Sequence, residues 1–307
     1  MSCILTIAIL IAFGFILDRE VYFYEGTHLG PRVQSWLYDR WSKKYDEGKR
    51  ESQLRDNEML AKPLLAVLKN VPEPFVLDFA TGTARLSFAL LSQPEFNGRI
   101  IALDLSQGML EKAVAKLNAR TSTSEQTPQK TAGQAGTVPP LTSSRSFFGS
   151  ATSGARVEFL RHLSLPLPFP DAAFDVVCAL EVLELFPNMD EPLAELSRVL
   201  RPGGILLTSR GTEESGRKAK VKSKADFGSL LTKHDFTNFQ IAPWWKLFDR
   251  VIAMKNGSSS PVGARELIDV MRCSVCSETQ WSRHANALKC AHCGKAFVVT
   301  EEGIVLG

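Results

Sequence analysis

The sequence predicts an α/β protein with a doubly wound, mostly parallel sheet and a small cysteine-rich unit near its C-terminus. Short apolar runs, such as residues 75–79, 174–180 and 205–209, alternate with segments of helical periodicity, which is typical of parallel strands covered by helices. Four of the six cysteines form two C-x-x-C pairs after residue 270. With 307 residues, 44% of them hydrophobic, the chain can bury a full core and a second small unit.

Residues 1–24 predict a membrane anchor. Residues 4–17 are almost entirely apolar, and Tyr22 lies where an interfacial aromatic residue is expected. A helix over this run spans about 21 Å against a hydrocarbon core of about 30 Å, so a buried core helix and a cleaved signal peptide are the alternatives. Because Arg and Lys residues follow the run, we expect a single span with the catalytic domain facing the cytoplasm.

Residues 31–50 predict an amphipathic helix, and residues 51–68 predict a second helix that Pro63 interrupts. The first of these contains aromatic residues among Arg and Lys, and an aromatic stripe at helical spacing usually packs on a core. Later in the chain, residues 121–155 are rich in Ser, Thr, Gln, Gly and Pro, which predicts a disordered insertion at the rim of the sheet.

A nucleoside-binding crevice is predicted where the first two strands end. Asp78 lies near the end of the first strand, Gly82 allows a tight turn, and the helix after Thr83 offers free N–H groups to a carboxylate or phosphate. Asp104 ends the second strand, 22 residues after Gly82, where an acid accepts hydrogen bonds from ribose hydroxyls. Taken singly, an acid at a strand end is better interpreted as a helix cap or a solvated loop residue, and the other motifs favour the cofactor interpretation.

The glycine loop favours S-adenosylmethionine over NAD. An NAD site requires G-x-G-x-x-G so that the backbone can close on a pyrophosphate, whereas this loop has Ala80 and Ala84 at the flanking positions. S-adenosylmethionine carries a ribose and an amino-acid carboxylate but no phosphate. One glycine and a helix N-terminus therefore suffice for it.

Four ordered motifs resemble those of the class I S-adenosylmethionine-dependent methyltransferases, and the ubiquinone and menaquinone methyltransferases are the most similar branch. These motifs are VLDFATGTARLS from Val76, ALDLSQGMLEKA from Ala102, LPLPFPDAAFDVV from Leu165 and ELSRVLRPGGILLTS from Glu195. The resemblance covers roughly residues 36–254. It implies a seven-stranded, Rossmann-like methyltransferase domain over residues 31–255, in which the segment 31–50 often forms a lid.

The resemblance also implies which residues hold S-adenosylmethionine. Asp78 and the loop hold the methionine part, and Asp104, followed by Leu105, holds the ribose. The loop residues of this set are Ala80, Thr81, Gly82 and Thr83. Family members often read G-D-A before L-P-F, with an acid that contacts adenine, whereas this chain reads His162-Leu163-Ser164. We therefore expect Ser164 or a backbone group to make that contact.

Residues after the fourth strand predict the acceptor side of the site. Methyl transfer from a sulfonium needs alignment more than a catalytic triad. Glu181 and Glu184 are similar to the E-V-L-E-H motif of quinone O-methyltransferases, with Leu185 replacing the histidine, so either glutamate is a candidate general base. The alternative is that both are acids at a helix start that interact with the helix dipole.

Two features bear on the partners. The net charge of +3 is too small to indicate nucleic acid, because phosphate binding needs a concentrated basic face. A run of five cations between the fifth and sixth strands predicts either solvated surface or a contact with anionic headgroups. These cations are Arg217, Lys218, Lys220, Lys222 and Lys224.

The cysteine pairs predict a closed, structural zinc site within residues 264–307. The four ligands are Cys273, Cys276, Cys290 and Cys293, the number that tetrahedral zinc requires. Disulfides or an iron site are the alternatives. The segment also resembles the zinc-ribbon family that contains the activator subunit of tRNA, rRNA and release-factor methyltransferases. This resemblance implies that the ribbon docks on the preceding domain in cis.

The sequence as a whole predicts a membrane-anchored, S-adenosylmethionine-dependent methyltransferase with a zinc ribbon. The anchor and the quinone-type motifs favour a small or lipid-like acceptor such as a quinone. One alternative is an RNA or protein methyltransferase assisted by its ribbon. Another is a non-catalytic adaptor with a degenerate cofactor site.

Overall fold

The computed structural model describes residues 2–124, 156–215 and 221–307, and its strands form one mixed sheet. The strand order is β6-β7-β5-β4-β1-β2-β3-β11-β10-β9-β8. The strands are β1 (Phe75–Phe79), β2 (Arg99–Asp104), β3 (Arg156–Arg161), β4 (Phe174–Ala179), β5 (Leu200–Gly211), β6 (Phe236–Trp245), β7 (Phe248–Lys255), β8 (Trp281–His284), β9 (Ala287–Cys290), β10 (Ala296–Val299) and β11 (Ile304–Leu306). The predicted α/β fold is confirmed. Of the eleven strands in the described part of the chain, β1–β7 come from the predicted methyltransferase domain, and four C-terminal strands extend the same sheet beyond β3.

Helices precede the sheet and connect its strands. They are α1 (Ser2–Asp18), α2 (Pro31–Gln53), α3 (Lys62–Val67), α4 (Arg85–Leu91), α5 (Gln107–Ser124), α6 (Asp190–Val199), α7 (Lys224–Lys233) and α8 (Leu267–Val270). The predicted helix over 51–68 is divided: α2 ends at Gln53, a π-helical turn covers Asn57–Ala61, and α3 begins with Pro63 in its first turn. Proline is tolerated there because the first turn has no intrahelical acceptor for its missing N–H.

The central strands explain the apolar runs of the sequence. β1 pairs in parallel with β2 on one side and β4 on the other, and every residue of β1 and β4 is buried. Because parallel strands in such a sheet are covered on both faces, their sequences are continuous hydrophobic runs and do not alternate between apolar and polar residues. Their carboxyl ends meet at one edge of the sheet, which brings the segments after β1, β2 and β4 together.

The N-terminal helix is too short for the predicted membrane anchor. α1 has 17 residues, or about 26 Å, and it ends at Asp18 before the charged pair Arg19 and Glu20. Among the described residues, no helix has the length and apolar character needed to cross a membrane. The prediction of a single N-terminal span with the catalytic domain facing the cytoplasm is therefore wrong.

Two other predicted segments fall largely outside the described residues. α5 continues through residues 121–124 of the predicted insertion, and residues 125–155 lie outside the described part of the chain. Of the predicted basic run, residues 217–220 also lie outside it. Lys222 accepts a hydrogen bond through its carbonyl from Arg210, and Lys224 begins α7.

The C-terminal segment, residues 264–307, is built onto the edge of the sheet. β11 pairs in parallel with β3, and the N–H of Gly307 donates to the carbonyl of Arg161 at 2.9 Å. The N–H of Leu267 donates to the partly buried carboxylate of Glu158 at 2.8 Å. One continuous hydrophobic cluster contains side chains from both parts of the chain, among them Leu160, Phe169, Leu267, Val270, Leu288, Phe297 and Val305. The C-terminal segment therefore shares its core with the rest of the molecule.

This shared core predicts that damage to the C-terminal segment destabilises the whole protein. Leu288 on β9 is 3% exposed, whereas Val298 on the neighbouring β10 is 54% exposed. We expect Leu288→Ala to lower the free energy of unfolding by about 2–5 kcal/mol, through lost burial and a cavity. Val298→Ala serves as the control and should cost less than about 1 kcal/mol. Urea denaturation followed by far-UV circular dichroism measures both, and an unchanged main transition in Leu288→Ala would contradict a common core.

Candidate active site and metal centre

The loop after β1 has an unusual backbone that the sequence only partly predicts. Ala80, Gly82 and Ala84 have φ values of +53°, +56° and +59°, so left-handed residues alternate through the turn. Only Gly82 was expected to need this conformation, and each alanine adopts it at a cost of about 1–2 kcal/mol. Strained backbone of this kind concentrates at functional sites, where the surrounding structure holds it in place.

Gly82 and Asp104 meet directly, as the sequence predicts. The N–H of Gly82 donates to Oδ2 of Asp104 at 2.7 Å, and the N–H of Ser106 donates to Oδ1 at 2.8 Å. Asp104 is 6% exposed, and burial raises its pKa to about 6, although these N–H donors oppose the shift. The carboxylate therefore ionises within the range where proteins are commonly assayed.

Asp78 lies behind the loop rather than in the cavity. Its Oδ2 accepts hydrogen bonds from Oγ1 of Thr81 and Oγ of Ser87, both at 2.7 Å. Burial raises the pKa of Asp78, although both hydroxyls oppose the shift. Thr83 also faces away from the cavity and donates to Asp46 at 2.6 Å. These contacts connect the loop to α4 and α2.

A cavity of about 300 Å³ opens beside the Gly82–Asp104 contact. Of the predicted cofactor-binding residues, five line it: Ala80, Gly82, Asp104, Leu105 and Ser164. Its volume is typical of a small-molecule site. The protein's own side chains leave this hollow open, which argues against a site lost to repacking. The loop 162–165 forms one wall, and the N–H of His162 fixes it by donating to the carbonyl of Asp104 at 3.0 Å.

Helix α2 crosses the carboxyl edge of the sheet through polar contacts. Oγ of Ser35 donates to the carbonyl of Leu105 at 2.8 Å. Asp39 accepts from Oγ of Ser106 at 2.6 Å and from the N–H of Gly108 at 2.8 Å, which caps the start of α5. The side of the helix that faces the strand ends is thus hydrophilic, a contact that neither sequence interpretation of this segment anticipated.

The aromatic residues of α2 reach into the site. Tyr38 and Tyr45 line the 300 Å³ cavity, and the Tyr45 ring lies over Gly82, where an added Cβ would be 3.6 Å from it. The hydroxyl of Tyr38 donates to Glu25. Burial raises the pKa of Tyr38 well above its ordinary value, so this hydroxyl stays protonated.

A second, wider cavity of about 820 Å³ adjoins the first. Tyr38, Tyr45 and Glu181 line both cavities. Trp41 and Phe248 contribute apolar surface to the second one only. The two cavities therefore meet at these three residues.

The two candidate catalytic glutamates have different surroundings. Glu181 forms ion pairs with Lys49 and, at 2.9 Å, with Arg85, and its φ is +55°. Glu184 is 4% exposed and lines only the wider cavity. A single 3-10 turn covers Leu183–Leu185, and α6 starts only at Asp190. Glu184 thus lies in the first turn of this short 3-10 helix, whereas Glu181 precedes it, and the role of each acid stays a prediction.

Arg85 anchors this arrangement. Its guanidinium makes two hydrogen bonds of 2.7 Å to Asp56 in addition to its contact with Glu181, and it lies 4.9 Å from the centre of the Trp244 ring. A charged group this buried is stable only when it is paired and hydrogen-bonded, and here both conditions hold. The sequence showed no signal for this residue beyond its position at the start of α4.

The four cysteines of the C-terminal segment converge. Their Sγ atoms all lie within 4.8 Å of one another, and the pairs Cys273–Cys293 and Cys276–Cys290 are 3.5 Å apart. Tetrahedral zinc with Zn–S bonds of about 2.3 Å separates its sulfurs by about 3.8 Å. The donor set and its spacing thus fit a closed metal centre.

Comparison with known proteins gives four similarities. The methyltransferase domain family model matches residues 77–208. The chain is 26% identical over 201 residues to the demethylmenaquinone methyltransferase of Lactobacillus johnsonii, covering 64% of this chain and 70% of that protein. It is 47% identical over 87 residues to the fatty-acid O-methyltransferase of Mycolicibacterium smegmatis, covering 28% of this chain and 32% of that protein. A crystal structure of a SAM-dependent methyltransferase from Aquifex aeolicus matches with a TM-score of 0.49 and 18% identity, over 70% of this chain and 97% of that chain.

The protein therefore contains a methyltransferase domain and is an S-adenosylmethionine-dependent methyltransferase, as the sequence predicts. The open cavity beside Gly82 and Asp104 agrees with this and disfavours the non-catalytic adaptor. The chain spans about a third of the length of the fatty-acid O-methyltransferase, so that protein's acceptor is not carried over as a finding.

The cysteine geometry predicts one bound zinc ion per chain. We expect the purified protein to contain about one zinc ion and the double variant Cys276→Ser/Cys290→Ser to contain almost none, because two thiolate ligands are lost. Cys178→Ala removes a cysteine that is buried in β4, far along the chain from the cluster, and is the control. Elemental analysis by mass spectrometry measures the content; a double variant with full zinc content would refute this centre.

The raised pKa of Asp104 predicts pH-dependent cofactor affinity. Above pH 6 the Asp104 carboxylate is ionised and can accept hydrogen bonds from the ribose hydroxyls. Below pH 6 it is protonated and accepts these hydrogen bonds less well. We expect the affinity for S-adenosylmethionine to fall as the pH drops from 7.5 to 5, and Asp104→Asn to bind about tenfold or more weakly with little pH dependence over that range. Calorimetric titration at several pH values tests this. Wild-type affinity in Asp104→Asn would exclude the proposed ribose contact.

Proposed function

We propose that this enzyme transfers a methyl group from S-adenosylmethionine to a small, lipid-like acceptor of the quinone type. The observation that carries the proposal is the shared wall of Tyr38, Tyr45 and Glu181 between a cofactor-sized cavity and a wider, partly aromatic one. Methyl transfer is an in-line displacement that proximity and alignment accelerate, and two adjoining cavities supply both.

The smaller cavity is the proposed cofactor site. Asp104 holds the ribose, Ala80 and Gly82 approach the methionine part through their backbone, and Leu105 and Ser164 flank the nucleoside. When bound, S-adenosylmethionine supplies a methyl group already activated by its sulfonium. Three of the predicted residues, Asp78, Thr81 and Thr83, do not line the cavity. Their hydrogen bonds hold the loop in place instead.

The wider cavity is the proposed acceptor site. Its aromatic surface, from Trp41 and Phe248, suits a planar ring or an apolar chain. Glu184 takes a proton from an acceptor hydroxyl or an acidic carbon, a role that its burial and its position in the cavity lining support. Glu181 acts instead as a fixed carboxylate, since Lys49 and Arg85 already engage it. The names of both similar enzymes denote lipid-like acceptors, which supports this class.

The cysteine cluster is proposed to hold structural zinc. All four positions around the metal are taken by thiolates, which leaves none for a substrate. Zinc would fix the turns that carry the two cysteine pairs and so hold β9 and β10 in register with β11 and β3.

The acceptor class is tested by incubating the zinc-loaded protein and methyl-labelled S-adenosylmethionine with a total lipid extract or with total RNA. We expect label in the lipid fraction. Label confined to RNA would reject the proposal in favour of the RNA methyltransferase that the sequence left as an alternative. An Asp104→Asn sample controls for contaminating activity.

The role of Glu184 predicts a selective loss of turnover. Glu184→Gln should lower kcat about 100-fold or more, because a general base typically contributes that much, while the affinity for S-adenosylmethionine changes less than about threefold. Glu47→Gln alters an exposed glutamate of α2 that lines neither cavity and is the control. Steady-state kinetics with the labelled acceptor and calorimetry with the cofactor measure both quantities; unchanged kcat would exclude Glu184 as the base.

A further inference from the structure

Three cations lie on one wall of the wider cavity without an acidic partner in the described part of the chain. Arg40, Lys43 and Lys44 are exposed on the middle turns of α2 and line this cavity. Across residues 2–124, 156–215 and 221–307, no carboxylate oxygen lies within salt-bridge distance of any of the three. Their positive charge is therefore available to a ligand.

The acidic residues of the same cavity are directed elsewhere. Glu25 accepts a hydrogen bond from Tyr38, and Glu181 pairs with Lys49 and Arg85. Glu184 is 4% exposed, whereas the three cations are exposed to solvent. The charge of Lys49 is thus balanced by Glu181. The charges of Arg40, Lys43 and Lys44 have no such counter-ion among the described residues.

The rest of the lining is apolar or aromatic. Tyr22, Trp41, Leu247 and Phe248 provide this surface. The lining of the cavity therefore combines cationic side chains, apolar and aromatic side chains, and three residues shared with the smaller cavity, Tyr38, Tyr45 and Glu181. Electropositive side chains above a partly apolar cleft attract molecules that combine an anion with an apolar body.

We propose that the acceptor is an anionic amphiphile, an apolar or aromatic molecule with a carboxylate or phosphate group. Its anion lies against Arg40, Lys43 and Lys44, its apolar body packs on Trp41 and Phe248, and its reacting atom lies at the wall shared with the cofactor cavity. This inference rests on the proposed function, because it takes the wider cavity as the acceptor site. The competing explanation is that the three cations form an ordinary solvated helix face.

The test compares ligands that share one apolar chain. Dodecanoate, dodecyl phosphate and dodecanol are titrated into the zinc-loaded full chain by calorimetry, below their aggregation concentrations and at low salt. We expect both anions to bind about tenfold or more tightly than dodecanol, and this difference to shrink as salt is added, because exposed charges are screened. The preference between the two anions identifies the headgroup chemistry.

Two triple variants assign the effect to this wall. Arg40→Gln/Lys43→Gln/Lys44→Gln should lose about tenfold in affinity for the anions and change less than threefold for dodecanol. The matched control Arg55→Gln/Lys69→Gln/Lys289→Gln removes three exposed cations that do not line the cavity and should bind as the wild type does. Circular dichroism establishes that both variants fold.

The outcomes separate this inference from the proposed function. Equal wild-type affinities for dodecanoate, dodecyl phosphate and dodecanol would overturn the anionic acceptor, as would an anion preference that survives in the Arg40, Lys43 and Lys44 variant. Binding of S-adenosylmethionine, measured with the same samples, stays intact in both cases if the enzyme assignment holds. If the wild-type protein does not bind S-adenosylmethionine, the proposed function is rejected, and the anionic acceptor with it.

Discussion

The hydrogen bond between the N–H of Gly82 and the carboxylate of Asp104 determines the geometry of the site. It joins the loop after β1 to the end of β2, and it forms only because the chain turns through three left-handed residues. Asp104 must be buried to make this contact, and burial raises its pKa. The same contact lies beside the smaller cavity, which is lined by the segments that follow β1, β2, β3 and β4 and by helix α2.

Helix α2 shows why hydrophobic periodicity alone did not decide how this segment packs. A helix that lies on strand ends meets unpaired backbone groups and N-cap positions, which favour hydrogen-bonding side chains over apolar ones. Ser35, Asp39, Asp46 and Lys49 recur at the spacing of one helix face and make these contacts. The aromatic residues Tyr38 and Tyr45 line both cavities, and Tyr38 also packs against the hydrophobic core. The sequence contained this polar stripe, but it resembled an ordinary solvated face.

Local features of the sequence predicted the central sheet, the pairing of Gly82 with Asp104 and the convergence of the four cysteines. These depend on residue type and spacing, which a sequence states directly. The addition of β11 to the edge of β3 depends on backbone hydrogen bonds that any residues can make, so three residues of β11 carried no signal for it. The ion pairs that engage Glu181 join residues 96 and 132 positions away and were likewise invisible before the fold was known. The prediction of a membrane anchor is wrong because α1 is apolar but, with 17 residues, too short to span a membrane.

A buried carboxylate at the opposite edge of the sheet explains how the C-terminal segment keeps its place. Asp175, at the start of β4, accepts hydrogen bonds from the N–H groups of Phe75, Val262 and Gly263 and from Arg201. The Ser-rich stretch before Val262 looks like a free linker. The N–H groups at its end, however, share the Asp175 carboxylate with the N–H of Phe75, the first residue of β1. The C-terminal segment is therefore held at the amino edge by Asp175 and along β3 by β11. Because β3 leads directly into the loop 162–165, the cysteine centre belongs to the scaffold that shapes one wall of the cofactor cavity.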